Sequence, residues 1–248
     1  MPILRNRIAD SSGFDQKAII LAPARLNARE PQSAAELKTG FAEEFSDCAP
    51  LVWQWRFGHN PPSLKILVAI TGASGALYAQ RLLDNLNPRE HEIHVVMSHY
   101  AQQVVAEELP DGLKLPEGIQ PHGLKSMNAP FASGSNPPDV MVIIPCTMGT
   151  MGRIAHGYSS DVLLRAADVV LKERKKLILV PRETPLSLIH VKNMELLLLA
   201  GATLIPANPS FYSGAKTIVE LADTVVARVL DHIGLPNQLA PRWSEEKE

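Results

Sequence analysis

KILVAITGASGALYAQRLL, residues 65–83, passes from an apolar run (Ile66 to Ile70) through a turn of small residues into an amphipathic helix. Strand, glycine-rich turn and helix in that order build a phosphate-binding site. Small side chains let the backbone approach an anion, and the unpaired N–H groups of a helix start point towards it. Working outward, the chain from Leu64 alternates strand and helix. Apolar runs predict strands at 65–70, 92–97, 139–145, 176–181 and 202–205, and helical periodicity covers 75–86, 99–108, 160–174, 187–200 and 215–233. Near-continuous apolar strands belong to a sheet covered on both faces, and alternation with helices makes the strands parallel with right-handed crossovers. The expected fold is therefore α/β, a doubly wound, mostly parallel Rossmann-like sheet. Its ligands bind beyond the carboxyl ends of the strands.

Bulk properties narrow the classes. The chain has 248 residues, a hydrophobic fraction of 46%, a formal net charge of −2 and two cysteines. No basic field argues for nucleic acid, and no polybasic tract for a membrane surface. Cys48 and Cys146 lack metal-ligand spacing, so neither a disulfide framework nor a zinc site is expected. Apolar runs fall short of the ~18 residues that a membrane span needs. A cytoplasmic protein is the expectation. Residues 1–62 show no sustained periodicity, despite Trp53 and Trp55, and end at Pro61-Pro62. They read as a poorly ordered N-terminal extension.

The residues that follow each strand converge on one sheet edge: Thr71 to Gly75, Ser98 and His99, Cys146 to Thr150, Arg182 and Glu183, and Pro206 to Tyr212. Each hydroxyl alone reads as a helix cap. Together they suit a phosphorylated ligand. Arg165, Asp168 and Lys172 share one helix face, and spacing alone makes them a salt-bridged surface stripe. A short-chain dehydrogenase is a tempting alternative, since TGASGAL resembles a dinucleotide turn and Tyr212 and Lys216 have Y-x-x-x-K spacing. Tyr78 replaces the third glycine, however, and the second strand ends in Ser98 rather than an acid. The Tyr-Lys pair also sits in a loop context with Pro209 and Gly214.

TGASGALYAQRLL, VMS at 96–98, ASGS at 132–135, PCTMGT at 145–150, LLRAADVVLKER at 163–174, VPRETPLSLIH at 180–190, PANPSFY at 206–212 and LPNQLAPRW near the end together resemble one family. It is that of the UbiX-type flavin prenyltransferases, once described as aromatic-acid decarboxylases, and the resemblance spans Leu64 to Trp243. The resemblance makes 63–248 a flavin-binding prenyltransferase domain. It implies transfer of a dimethylallyl group from dimethylallyl phosphate to reduced FMN, which is a co-substrate. The product, prenylated FMN, serves a partner decarboxylase. Gly72, Ala73, Ser74, Ser98, Thr147, Met148, Gly149, Thr150 and Arg182 are implied to hold FMN. Tyr212, Arg228, Lys172, Arg165 and Trp243 are implied to surround the dimethylallyl phosphate, with Glu183, Lys172 and Glu108 as catalytic groups. A homo-oligomer with flavin sites at subunit interfaces is implied as well.

Paired arginine donors and a lysine point charge suit the loss of phosphate from an allylic ester. No aspartate-rich motif is present for an ionising diphosphate, so no metal is expected. Thr147 stands where many members have serine, Gly149 where some have lysine, and Leu-Pro follows Glu108 in place of Thr-Asp. Two other readings remain. A flavoprotein that oxidatively decarboxylates cysteine-type substrates needs a catalytic histidine and an asparagine-bearing motif not found at matching positions. A flavin carrier for a decarboxylase, lacking transferase activity, would not need the leaving-group residues.

Overall fold

The computed structural model describes residues 63–242. The extension expected at 1–62 and Trp243 lie outside the described residues. Six parallel strands form one sheet: β1 (Lys65–Ile70), β2 (Glu92–Met97), β3 (Gln120–His122), β4 (Val140–Cys146), β5 (Lys176–Pro181) and β6 (Thr203–Leu204). Their spatial order is β3-β2-β1-β4-β5-β6. The chain thus runs outward from β1 in one direction and then, from β4, in the other. This reversal opens a crevice between the carboxyl ends of β1 and β4. The expected parallel α/β sheet is present.

Alternation along β1 distributes its side chains between two cores. Ile66, Val68 and Ile70 face α1 (Ala76–Asp84) and α6 (Ile218–Ile233), whereas Leu67 and Ala69 face α3 (Met148–Ala155) and α4 (Val162–Lys172). Leu197 of α5 (Leu188–Leu199) joins the second core, and Ala101 of α2 (His99–Glu108) joins the first. Most of the strand residues in both cores are inaccessible to solvent. Full burial of each such Leu or Ile contributes about 1.5–3 kcal/mol. No helix among the described residues is long and apolar enough to cross a membrane.

Three sequence expectations need adjustment. The strand expected at 139–145 begins at Val140 and ends at Cys146, and the one expected at 202–205 is reduced to Thr203 and Leu204. β3 has no counterpart among the expected strands. With three residues, one of them Pro121, it is too short for a period to register, and proline is tolerated because β3 lies at the sheet edge.

Two contacts lock the helices that matter for the site. Arg81 on α1 donates from Nε and Nη2 to the two carboxylate oxygens of buried Asp223 on α6, at 2.7 and 3.0 Å. A planar guanidinium matched to a carboxylate in this way fixes orientation as well as distance. On the other side, α2 packs directly on the turn after β1. A Cβ added at Gly72 would lie 2.4 Å from Tyr100 Cβ, which is anchored to the α2 backbone and cannot swing away. Gly72→Ala should therefore push α2 off the turn and cost about 1–3 kcal/mol of stability. Urea melts of wild type and variant measure this loss.

Candidate functional site

Three helix starts converge around the tip of β1. α1 follows β1 itself, α2 follows neighbouring β2, and α3 follows neighbouring β4. Thr71, fully buried, holds this arrangement together. Its Oγ1 donates to the Pro145 carbonyl at 2.8 Å and accepts from Thr147 N–H at 2.8 Å. The tips of β1 and β4 are thus tied across the crevice.

The turn between Thr71 and α1 leaves donors available. Among the described residues, the N–H groups of Gly72, Ala73 and Ser74 donate to no protein acceptor, whereas the Thr71 N–H bonds to the Pro145 carbonyl. Ser98 caps α2 by accepting from Ala101 N–H, and Thr147 caps α3 by accepting from Thr150 N–H. The Thr147 hydroxyl donates in turn to Thr150 Oγ1 at 2.9 Å. Met148 and Thr150 are buried, and Gly149 is exposed on the first turn of α3. The N–H groups of this turn, with the hydroxyls and first helical turns at Ser98 and Thr147 to Thr150, suit the phosphate and ribityl end of a flavin nucleotide.

The start of α1 is not the open anion site that the sequence suggests. Gly75, at φ +119°, provides the helix with no side-chain cap of its own. The Glu108 carboxylate supplies it from the end of α2, accepting from Gly75 N–H at 2.8 Å and Ala76 N–H at 2.7 Å. Desolvation opposes ionisation of Glu108, but hydrogen bonds from the Ser74 hydroxyl and the two N–H groups outweigh it, with help from nearby Arg182. The net effect holds the carboxyl below its ordinary range. The donors left open at this turn are therefore the N–H groups of Gly72 to Ser74, rather than the first N–H groups of the helix.

Arg182, at the tip of β5, donates from Nε to the Ser74 carbonyl at 3.1 Å. Ser74, Tyr78, Glu108, Arg182 and Pro209 line a cleft of about 280 Å³ that reaches Leu221 and Ala222 of α6. Tyr78 entered the sequence reading only as a missing glycine. It is nevertheless part of the cleft wall, where burial pushes its phenol up against the opposing influence of Arg182. Tyr212 and Arg228 line a second cavity, of about 430 Å³, with Ser210, Asp231 and Arg242. The loop at 206–213 stands between the two spaces, contributing Pro209 to one and Ser210 and Tyr212 to the other. Tyr212 lies in a short 3-10 turn ending at Gly214, so the Tyr212/Lys216 pair shares no helix face.

Other expected residues are not assembled in one protomer. Arg165 donates to the Ala132 carbonyl and pairs with Asp168 at 2.7 Å, while Lys172 pairs with its neighbour Glu173. Both belong to α4 in the second core layer, and neither lines the cleft or the Tyr212 cavity. Glu183 is exposed beside Arg182, with Oε1 accepting from Thr184 N–H. His156 bonds Asn193, and His190 completes the capping box of α5, both structural roles. Among the described residues, no cluster of three or more His, Cys, Asp or Glu is placed to hold a metal ion.

The cap on α1 makes a pH-dependent prediction. Glu108→Ala should lower stability at neutral pH by about 0.5–1 kcal/mol, the usual effect of losing a cap. Because the folded pKa is depressed, the contribution is present above the ordinary carboxyl value of 4.5 and disappears as pH falls through the folded value. Denaturant melts across this range should show wild type and variant converging in acid.

Comparison with known proteins agrees with the geometry. The family described as Flavoprotein matches residues 57–230. Flavin prenyltransferase UbiX of Pseudomonas aeruginosa is 43% identical over 198 residues, covering 73% of this chain and 95% of the relative. The solved structure of AnUbiX (PadA1) in complex with FMN and dimethylallyl pyrophosphate is 38% identical, with a TM-score of 0.69, covering 75% of this chain and 100% of that one. A dodecameric FMN-dependent UbiX-like decarboxylase from Escherichia coli O157:H7 is 39% identical, with a TM-score of 0.67, over 73% of this chain and 100% of that one. With nearly the full length of such relatives matched at this identity, the chain belongs to the UbiX family of flavin prenyltransferases.

Proposed function

We propose that this protein transfers the dimethylallyl group of dimethylallyl phosphate to reduced FMN, releasing phosphate and a prenylated flavin for a partner decarboxylase. The observation that carries this reading is the pair of anion-suited spaces on either side of the 206–213 loop. One is lined by Ser74, at the end of the turn whose N–H groups find no protein acceptor, with Arg182 and Glu108; the other is lined by Tyr212, Arg242 and Arg228, the last paired with Asp231 at 3.3 Å. A reaction between two phosphorylated molecules needs two such places. In this reading residues 63–248 carry the chemistry, in the cytoplasm.

Bound reduced FMN supplies the electron-rich ring system that receives the allylic carbon. The chain's own residues do the rest. Gly72, Ala73 and Ser74 bind the flavin phosphate region through backbone N–H groups, with Ser98, Thr147, Met148, Gly149 and Thr150 beside them. Arg228 and the Tyr212 hydroxyl hold the departing phosphate as the allylic C–O bond breaks. Their fixed charge and donor stabilise the growing negative charge without reorganisation. Glu183 moves a proton to the departing phosphate or from the closing ring. Glu108, held anionic by its donors, orients Ser74 and Arg182 at the flavin end.

Arg165 and Lys172 join a flavin site in this reading only when a second copy supplies them, which calls for a homo-oligomer. The surface supports self-association. Alongside its Lys192–Glu195 ion pair, α5 exposes large apolar side chains: Leu188, Ile189 and Leu199 are 74%, 72% and 79% exposed. A cluster of exposed large apolar side chains of this kind favours burial against another surface.

Anaerobic incubation of the purified protein with reduced FMN and dimethylallyl phosphate should yield flavin heavier by one dimethylallyl group in mass spectrometry. Bound but unmodified flavin, with the diphosphate ester also failing as donor, would support the carrier reading. Glu183→Gln should reduce turnover by 10²-fold or more, on the order of a lost general acid–base group, and leave flavin retention intact. Equal loss of turnover and retention would make Glu183 structural. The two rates and the flavin content of the purified variants decide between these outcomes.

A further inference from the structure

The stretch from Leu235 to Arg242 follows α6 and forms part of the wall of the Tyr212 cavity. Asn237, Pro241 and Arg242 line that cavity together with Arg228 and Asp231 of α6. One carboxylate gathers these groups. Arg242 donates from Nη2 to Asp231 Oδ1 at 2.8 Å and from Nη1 to Oδ2 at 3.5 Å. Arg228 Nη1 reaches the same Oδ2 at 3.3 Å, and Asn237 Nδ2 donates to Oδ1 at 3.0 Å.

The helix itself gains little from an acid at this position. Asp231 lies in the last turn of α6, where the carbonyl end of the helix dipole repels a carboxylate. Arg228, one turn earlier, and Arg242, from the segment after the helix, supply the charge that holds it there. Two guanidiniums drawn to one carboxylate also repel each other, and one unit of positive charge is left uncompensated.

The charge balance of the cavity therefore turns on Arg242. Among the described residues that line it, the ionised side chains are Arg228, Arg242 and Asp231. Arg228 and Asp231 alone cancel; with Arg242 the lining carries a net positive charge. Asn208 and Tyr212 add neutral polar groups without changing that sign. The side chains of Arg228 and Arg242 are 62% and 48% exposed, so both are within reach of an anion. Each guanidinium carries five N–H donors, more than Asp231 takes from it.

We propose that Arg242 is a further phosphate-binding residue of the prenyl donor's site, acting with Arg228. The proposal rests on the prenyl-transfer reading for its ligand, dimethylallyl phosphate, and adds the residue that decides the sign of the cavity's charge. As the allylic C–O bond breaks, its electron pair stays on the phosphate oxygen. A second guanidinium, whose fork matches phosphate oxygens, shares that growing charge. Asp231 keeps the two arginines side by side before the ester arrives.

Calorimetric titration of dimethylallyl phosphate into the FMN-loaded full-length protein tests this. The titration is run in air, where the oxidised flavin does not consume the ester. Arg242→Gln should weaken binding on the order of tenfold, the effect of losing a hydrogen bond between charged groups. Flavin content should stay at the wild-type value, and melting should change little, since exposed ion pairs add little stability. Arg228→Gln, the comparison variant, should weaken the ester similarly. An affinity unchanged by Arg242→Gln overturns the proposal, and if Arg228→Gln still lowers it, the prenyl-transfer reading stands. A fall that only tracks lost flavin or lost stability also overturns it, because Arg242 is then a staple for the end of the chain. A wild-type protein that does not bind the ester overturns both. If Arg242→Gln does not fold, a crystal of the holoprotein soaked with the ester decides. The Arg242 guanidinium within hydrogen-bond distance of the phosphate supports the assignment; a phosphate held without it overturns it.

Discussion

Everything in the flavin site hangs on the hydroxyl of Thr71. One oxygen atom gives its hydrogen to the Pro145 carbonyl and takes one from Thr147 N–H, joining strands that are far apart in sequence and adjacent in the sheet. The crevice at the strand-order reversal exists because the connections on either side lead away from it. Without a tie, the two loops at its mouth would be free to splay. Buried donors and acceptors that satisfy one another in this way also specify a single arrangement, since any alternative leaves one of them unpaired.

Around that tie, small residues are required for reasons of space. At Gly72 an added Cβ would run into Tyr100 of α2, and Gly75 takes a left-handed conformation at the start of α1. The same close approach brings Glu108 from the end of α2 to the start of α1. Its carboxylate occupies the donors that an isolated strand-turn-helix unit would offer a phosphate. The N–H groups left without a protein acceptor are thereby displaced one step along the turn, to residues that precede the helix. Arg182 then links this turn to the tip of β5 through the Ser74 carbonyl, so the flavin end and the proposed proton-moving end of the site share one framework.

The cavity that the proposed reading gives to the second reactant depends on α6. Its Asp223 is clamped by Arg81 of α1, and its Thr224 accepts from Ser210 N–H while donating to the Leu221 carbonyl. The loop that carries Tyr212 is thereby referenced to the same helix that presents Arg228. Tyr212, in the loop just before α6, and Arg228, on α6, line one cavity because one helix positions both. α4 and α5, on the other layer, present Lys172, Arg165 and an uncovered apolar surface.

The sequence by itself determined the parallel sheet, its main strands, and the turn residues Gly72 to Ser74. Those features are local: a five-residue apolar run, a glycine that only a close approach requires, and capping hydroxyls such as Ser98 and Thr147 act within a few residues of themselves. The family motifs extended this to Arg182, Glu183, Tyr212 and Arg228, which matched residue patterns rather than any period. What the tertiary structure alone decided involves partners distant in sequence. Glu108 as the remote cap of α1, Thr71 as the tie to Pro145 and Thr147, and Tyr78 as cleft wall all depend on which strands become neighbours. β3 and the meeting of Arg242 with Arg228 at Asp231 were equally invisible, because a three-residue edge strand has no periodicity and the two arginines meet only after the segment beyond α6 packs back on it. Hydrogen bonds of this kind are written in the packing, since their geometry is fixed by the backbone frames that the two cores hold in place.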